Sequence, residues 1–165
     1  MKFKKVNGEK IDNLSEYVKN HLDSKSGEFQ IYIGCDSLPP KGNVTSFITV
    51  VVLYDVGHGT HVICKKDKSD KIKAMYDRLW HEVELAVEVA QYLRDNAILE
   101  YRTKAGTVKS IDLQVHLDLN PDESFKSNNV YNAALGYVKS LGFEFIPKPT
   151  AFAATYMADN LVRHK

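Results

Sequence analysis

Four acidic residues stand where a carboxylate is hard to explain by solubility alone. Asp36 closes the apolar run of "IYIGCDS" (31–37), and Asp118 closes "VHLD" (115–118). Glu82 lies in "HEVELAVEVA" (81–90), and Asp159 in the small, apolar "FAATYMADNL" (152–161). A carboxylate carried into an apolar interior is costly unless something pairs with it. Each has a plain alternative. Asp36 is a good strand-end turn residue, Asp118-Leu-Asn-Pro is a good turn start, and Asp159 suits the edge of a surface helix. Taken together they have another use. Carboxylates from four elements supply the hard oxygen ligands that Mg²⁺ or Mn²⁺ prefers. Two such ions roughly 3.5–4 Å apart activate a water and stabilise the leaving oxygen of a phosphodiester. The expected ligand set, and the expected catalytic set, is Asp36, Glu82, Asp118 and Asp159.

Helical periodicity selects Glu82 over Glu84. Glu82 falls on a line with Met75, Leu79, Ala86, Val89 and Leu93, whereas Glu84 aligns with Asp77, Trp80, Glu88 and Gln91. Around the acids, Ser37, Asn120, Lys126, Asn128 and Lys148 are the expected substrate contacts, the two lysines for phosphate. Lys65, Lys66, Lys68, Lys71 and Lys73 form a basic run interleaved with Asp67 and Asp70, with Arg102, Lys104 and Lys109 further on. Such runs are usually solvated faces and only weakly indicate phosphate tracking. His116, two residues from Asp118, reads as a satisfied core histidine, with a proton-shuttle role as the alternative. Trp80 suits either a base stack or a dimer contact.

The elements that must position these residues follow from the pattern. "IDNLSEYVKNHL" places Leu14, Val18 and Leu22 on one helical stripe, with Asp12 or Asn13 as cap. Strands are expected at 29–36, 45–55 and 60–66, joined by the loop "LPPKGN" and the turn "VGHG" as an antiparallel meander. A long amphipathic helix should run from Lys71 to Leu93. Residues 94–111 suit an insertion hairpin turning at Ala105-Gly106. A strand at 112–120, a helix ending at Gly142, the short strand "FEFIP" and a last helix capped by Thr150 complete the chain. The order is a leading helix, then βββαβαβα. It predicts an α/β fold with a five-stranded mixed sheet, three antiparallel strands then two parallel, and helices on both faces. If the Asp36 and Asp118 strands are parallel neighbours, both acids emerge at one edge, where open sheets bind ligands.

Bulk properties narrow the class. The 165 residues fit one domain, 1–165, with 1–28 as an N-terminal helical extension. Lys and Arg number 22 against 21 Asp and Glu, a net charge of +1, so no global basic field draws nucleic acid. A modest footprint or a homodimer that pools its patches is implied. Cys35 and Cys64 form no motif and read as reduced core thiols. No apolar run reaches membrane-spanning length, and a cytoplasmic protein is expected.

Element order and carboxylates together resemble the RNase H-like fold. In that superfamily an Asp ends the first strand, a Glu lies in the first core helix, an Asp ends the fourth strand and a fourth acid lies in the last helix. Asp36, Glu82, Asp118 and Asp159 match in turn. More closely, the chain resembles the YkuK-like family of small bacterial proteins. "IYIGCDS", "HEVELAVEVA", "VHLDLNP", "KSN" (126–128), "GYVKSLGFE" and "KPTAFAATYMADN" carry that resemblance over about 130 residues. Where that family tends to carry Gln after the Asp-Ser pair, this chain has Leu38, Pro39 and Pro40. The resemblance implies a metal-dependent nuclease acting on RNA, DNA or a hybrid. A non-catalytic domain that binds nucleic acid or a protein partner is the alternative. Fold alone supplies no substrate.

Overall fold

The computed structural model describes residues 1–25, 27–151 and 153–158. Strands β1 (Phe3–Lys5) and β2 (Lys10–Ile11) precede helix α1 (Leu14–Asp23). The meander follows as β3 (Phe29–Lys41), β4 (Val44–Asp55) and β5 (Gly59–Asp70), then α2 (Met75–Asp95). A short hairpin, β6 (Glu100–Arg102) and β7 (Val108–Ser110), leads to β8 (Asp112–Leu117). Helix α3 (Asn128–Ser140), β9 (Glu144–Ile146) and a π-helical turn at Ala153–Ala158 complete the described elements.

The main sheet has the order β2-β1-β5-β4-β3-β8-β9. Its central five strands are the expected ones: β5, β4 and β3 antiparallel, with β8 and β9 parallel to β3. The edge pair β1–β2 is additional, and β1 pairs with β5 through Lys4↔Cys64 and Lys5↔Ile63. These strands are two and three residues long, too short for a period-two signal to show in sequence. The segment before β3 is therefore more than a helical extension.

Alternation along β3 and β4 divides the core. Ile31, Ile33, Cys35, Val51 and Leu53 point to the face covered by α1, α2 and α3 and are buried there. Each such side chain contributes about 1.5–3 kcal/mol of burial. Val50, Val52 and Cys64 point to the other face, packed with Tyr32, Ala153 and Ala158. Helical segments thus cover both faces. Asn13 is the α1 cap, its Oδ1 accepting from Glu16 N at 3.1 Å.

Three expectations change. The "LPPKGN" loop is instead an extension of β3 and β4, turning at Gly42, whose φ of +60° suits glycine. The prolines fall between Leu38 and Lys41, where the register shifts, so their missing N–H groups lie at a bulge. Helix α2 starts at Met75 rather than Lys71, because Ile72 N–H donates to the buried Thr45 hydroxyl at 2.9 Å and holds the approach against β4. Met75 is consequently exposed, off the buried stripe. Thr150 caps no helix; its hydroxyl donates to Pro147 O at 3.0 Å.

The 94–111 stretch is the expected hairpin. Tyr101 donates to Asp23 Oδ2 at 2.8 Å, and Lys109 Nζ donates to Leu22 O and Lys25 O at 3.1 and 2.8 Å. Lys104 lies 3.9 Å from Asp23. These lysines fasten the hairpin to the C-terminal end of α1, where orphan carbonyls and the helix dipole favour cations. Among the described residues, no helix is long and apolar enough to cross a membrane.

Candidate active site

The parallel pairing of β3 with β8 ends at Cys35↔Leu117, while β3 continues beside β4 to Lys41. Asp36 and Asp118 are the next residues on the two strands. Asp36 is thus not at a strand end, as the sequence suggests. It stands at the fork where β8 leaves the sheet. Beyond the last β3–β8 pair, Ser37 N–H donates to Asp36 Oδ1 at 2.8 Å. Alternation assigns Asp36 to the face of Tyr32 and Asp118 to that of His116, whose rings lie 4.7 Å apart.

Glu82 approaches from the opposite face. It lies on the buried stripe of α2 and is 4% exposed, whereas Glu84 is exposed and takes Trp80 Nε1 at 3.1 Å. The partner of Glu82 is neutral: Ser37 Oγ, 2.5 Å from Oε1. Burial pushes the Glu82 carboxyl up to about 8, with the nearby Asp36 charge adding to the rise and Ser37 and Arg78 opposing it. Near neutral pH it is largely a neutral acid. Arg78 is one helical turn before Glu82, a spacing that sequence reading passed over. The same acids and burial raise the Cys35 thiol, which is therefore an unreactive core group.

Asp118 forms an ion pair with Lys148. The Lys148 backbone N–H donates to Leu119 O at 3.1 Å, which keeps this lysine beside β8. Asn120 Oδ1 accepts from Asp122 N at 3.0 Å, and Asn128 Nδ2 donates to Pro121 O at 2.8 Å and to Asn120 O at 3.3 Å. Both amides thus shape the loop after Asp118. Lys126 is exposed on that loop. Asp159, the fourth expected ligand, lies outside the described residues.

His116 matches the core reading. Ala153 N–H donates to Nδ1 at 3.3 Å, so the ring proton sits on Nε2 and is donated to Gln114 Oε1 at 3.1 Å. Burial lowers this ring to about 4, and it stays neutral. The basic run is not one patch. Lys65 is 8% exposed and reaches Asp67 at 3.2 Å and Glu88 at 3.6 Å, while Lys66, Lys68, Lys71 and Lys73 are exposed. Trp80 packs on Tyr137, ring centres 5.6 Å apart.

The donor set has the chemistry for a hard divalent cation: two carboxylates on adjacent strands and a third behind them held by Ser37, with Arg78 one turn away. Among the described residues, no three ligand groups converge on one point. Lys148 engages Asp118 and Ser37 engages Glu82, each where a cation would compete.

Comparison with known proteins agrees with this topology. The family model described as Ribonuclease H-like matches residues 10–163. No match was found among curated proteins or among solved structures. The chain belongs to the RNase H-like family.

Proposed function

We propose that this RNase H-like protein is a metal-dependent nuclease that hydrolyses phosphodiester bonds in nucleic acid with two Mg²⁺ or Mn²⁺ ions. The motifs shared with YkuK-like proteins favour that branch of the family. The observation that carries the reading is the fork itself: Asp36 and Asp118 each one residue beyond the last β3–β8 pair, where the strands part, with buried Glu82 behind them. Bound divalent ions supply an activated water and stabilise the leaving oxygen. Asp36 and Asp118 would hold the first ion; Glu82, once deprotonated, would complete that site and orient the attacking water, and Asp159 would hold the second ion. Lys148, displaced from Asp118, and Lys126 contact phosphate oxygens. Ser37 steadies Glu82, and Asn120 and Asn128 fix the loop that carries Lys126. Water is the nucleophile, so no covalent intermediate forms.

The Lys148–Asp118 pair and the Ser37–Glu82 bond favour a second reading, a non-catalytic domain that binds nucleic acid or a protein. A cleavage assay in Mn²⁺ separates the two. Wild type and Asp118→Asn are compared on labelled single-stranded RNA and DNA, an RNA–DNA hybrid, duplex DNA and a four-way junction. The nuclease reading expects wild type to cut at least one substrate and the variant none. Absence of cleavage throughout the panel favours the binding domain.

A further inference from the structure

On the face of the sheet that carries Asp36 and Asp118 lies a cavity of about 500 Å³, lined by Tyr32, Tyr54, Gln114, His116, Ile146 and Thr150. These residues come from β4, β3, β8, β9 and the segment after β9, so the cavity crosses the sheet. Three of its rings form a row. Tyr54 and Tyr32 have centres 6.0 Å apart, and Tyr32 and His116 4.7 Å, each pair tilted by about 30° (33° and 31°). The volume falls in the range of small-molecule sites, with mainly apolar walls and few polar groups. The row is next to the fork. His116 is two residues before Asp118 on the same strand face, a rise of about 6.6 Å. Thr150 is two residues after Lys148.

We infer that this aromatic trough holds an unpaired base of a single-stranded nucleic acid while the neighbouring phosphate lies at Asp118 and Lys148. The inference rests on the nuclease reading for the phosphate, but the stacking platform is an independent feature. Sheet-borne aromatic rings present flat faces to bases of any sequence, and a duplex keeps its bases stacked and out of reach. Tyr54 and Tyr32 are only partly buried, whereas His116, 3% exposed, backs the row, so the tyrosines supply the stacking faces. The expected preference is for single strands or unpaired ends over intact duplex.

The test uses the full chain with Ca²⁺ in place of Mn²⁺ to hold substrate uncut. Single-stranded DNA and RNA 12-mers carry one 2-aminopurine, with matched duplexes and abasic strands as controls. The expected result is quenching of 2-aminopurine by wild type, and affinity roughly 5–100-fold weaker for Tyr54→Ala or for the abasic strand. Tyr54→Phe, which keeps the ring, should restore binding. Mn²⁺-induced thermal stabilisation, measured in parallel, reports the metal site and should survive in Tyr54→Ala. If that stabilisation is present but Tyr54→Ala and the abasic strand bind like their parents, the base pocket is wrong and the nuclease reading stands. If quenching and Tyr54 dependence appear without any Mn²⁺ effect, the pocket stands and the nuclease reading falls. Equal or tighter binding of duplex overturns the pocket.

Discussion

Two acids are buried against β3, one at its start and one beside the fork, and the fold treats them differently. Asp55, paired in the ladder with Phe29, is 7% exposed and has a basic side chain beside it from its own turn, His58 Nδ1 at 3.4 Å, three residues on. Glu82, over Ser37, is 4% exposed, and the group bonded to it is a neutral hydroxyl supplied from 45 residues away, with Asp36 close by to repel it and Arg78 only partly offsetting burial. Lys65 makes the same point with reversed sign, since it is buried with two acids around it. The fold knows how to pair a buried charge locally. At Glu82 it leaves a carboxyl protonated instead, an arrangement that structure alone does not require and that a cation would relieve.

That contrast can be broken most directly at Glu82. The folded protein holds its proton more tightly than the unfolded chain. The stability that neutral Glu82 contributes is therefore complete below about pH 4.5 and is lost as pH rises toward about 8. Urea unfolding in chelator at pH 9 should find Glu82→Gln more stable than wild type, by up to about 4 kcal/mol, and at pH 4 little different. Adding Mn²⁺ should reverse the order by stabilising wild type alone. A Glu82→Gln protein that is less stable at pH 9 would make Glu82 a structural acid like Asp55.

His116 supplies the opposing slope. Its folded value is depressed, so its stabilising contribution is complete above about pH 6.5 and is lost as pH falls through about 4. Roughly 3 kcal/mol should disappear over that range in wild type and not in His116→Gln, read from unfolding curves across pH.

The smaller effects sharpen the same comparison. Asp55→Asn should lower stability by about 1 kcal/mol or less, because His58 is largely exposed. Lys148→Ala should change stability in chelator by less than about 0.5 kcal/mol, since both partners of its pair are partly solvated. It should also lower the Mn²⁺ concentration needed for half-maximal thermal stabilisation by a few-fold, because it removes the resident cation from Asp118.

The sequence made much of this site legible. Period two placed Asp36 and Asp118 on core strands, and period 3.6 put Glu82, not Glu84, on the buried stripe of α2. Parallel adjacency of β3 and β8 entered the sequence reading only as a condition, and the register supplies it. Partners were harder to see, because they depend on tertiary approach. Lys148 was legible as a cation near the site but not as the ion-pair partner of Asp118, and Ser37 as a neighbour of Asp36 but not as the hydroxyl on Glu82. Lys104 and Lys109 read as surface charge because nothing local reveals the end of α1, where Lys104 meets Asp23 and Lys109 takes the carbonyls. The Tyr54–Tyr32–His116 row joins three strands, and only the register brings it together.

The most direct test is calorimetric titration of Mn²⁺ into wild type and Asp36→Asn at pH 8. The account predicts saturable binding by wild type, with the tighter ion lost in Asp36→Asn while the variant remains folded by circular dichroism. Wild type that binds no Mn²⁺ at millimolar concentration, or Asp36→Asn that binds it equally well, would contradict the assignment of the β3–β8 fork as a metal centre.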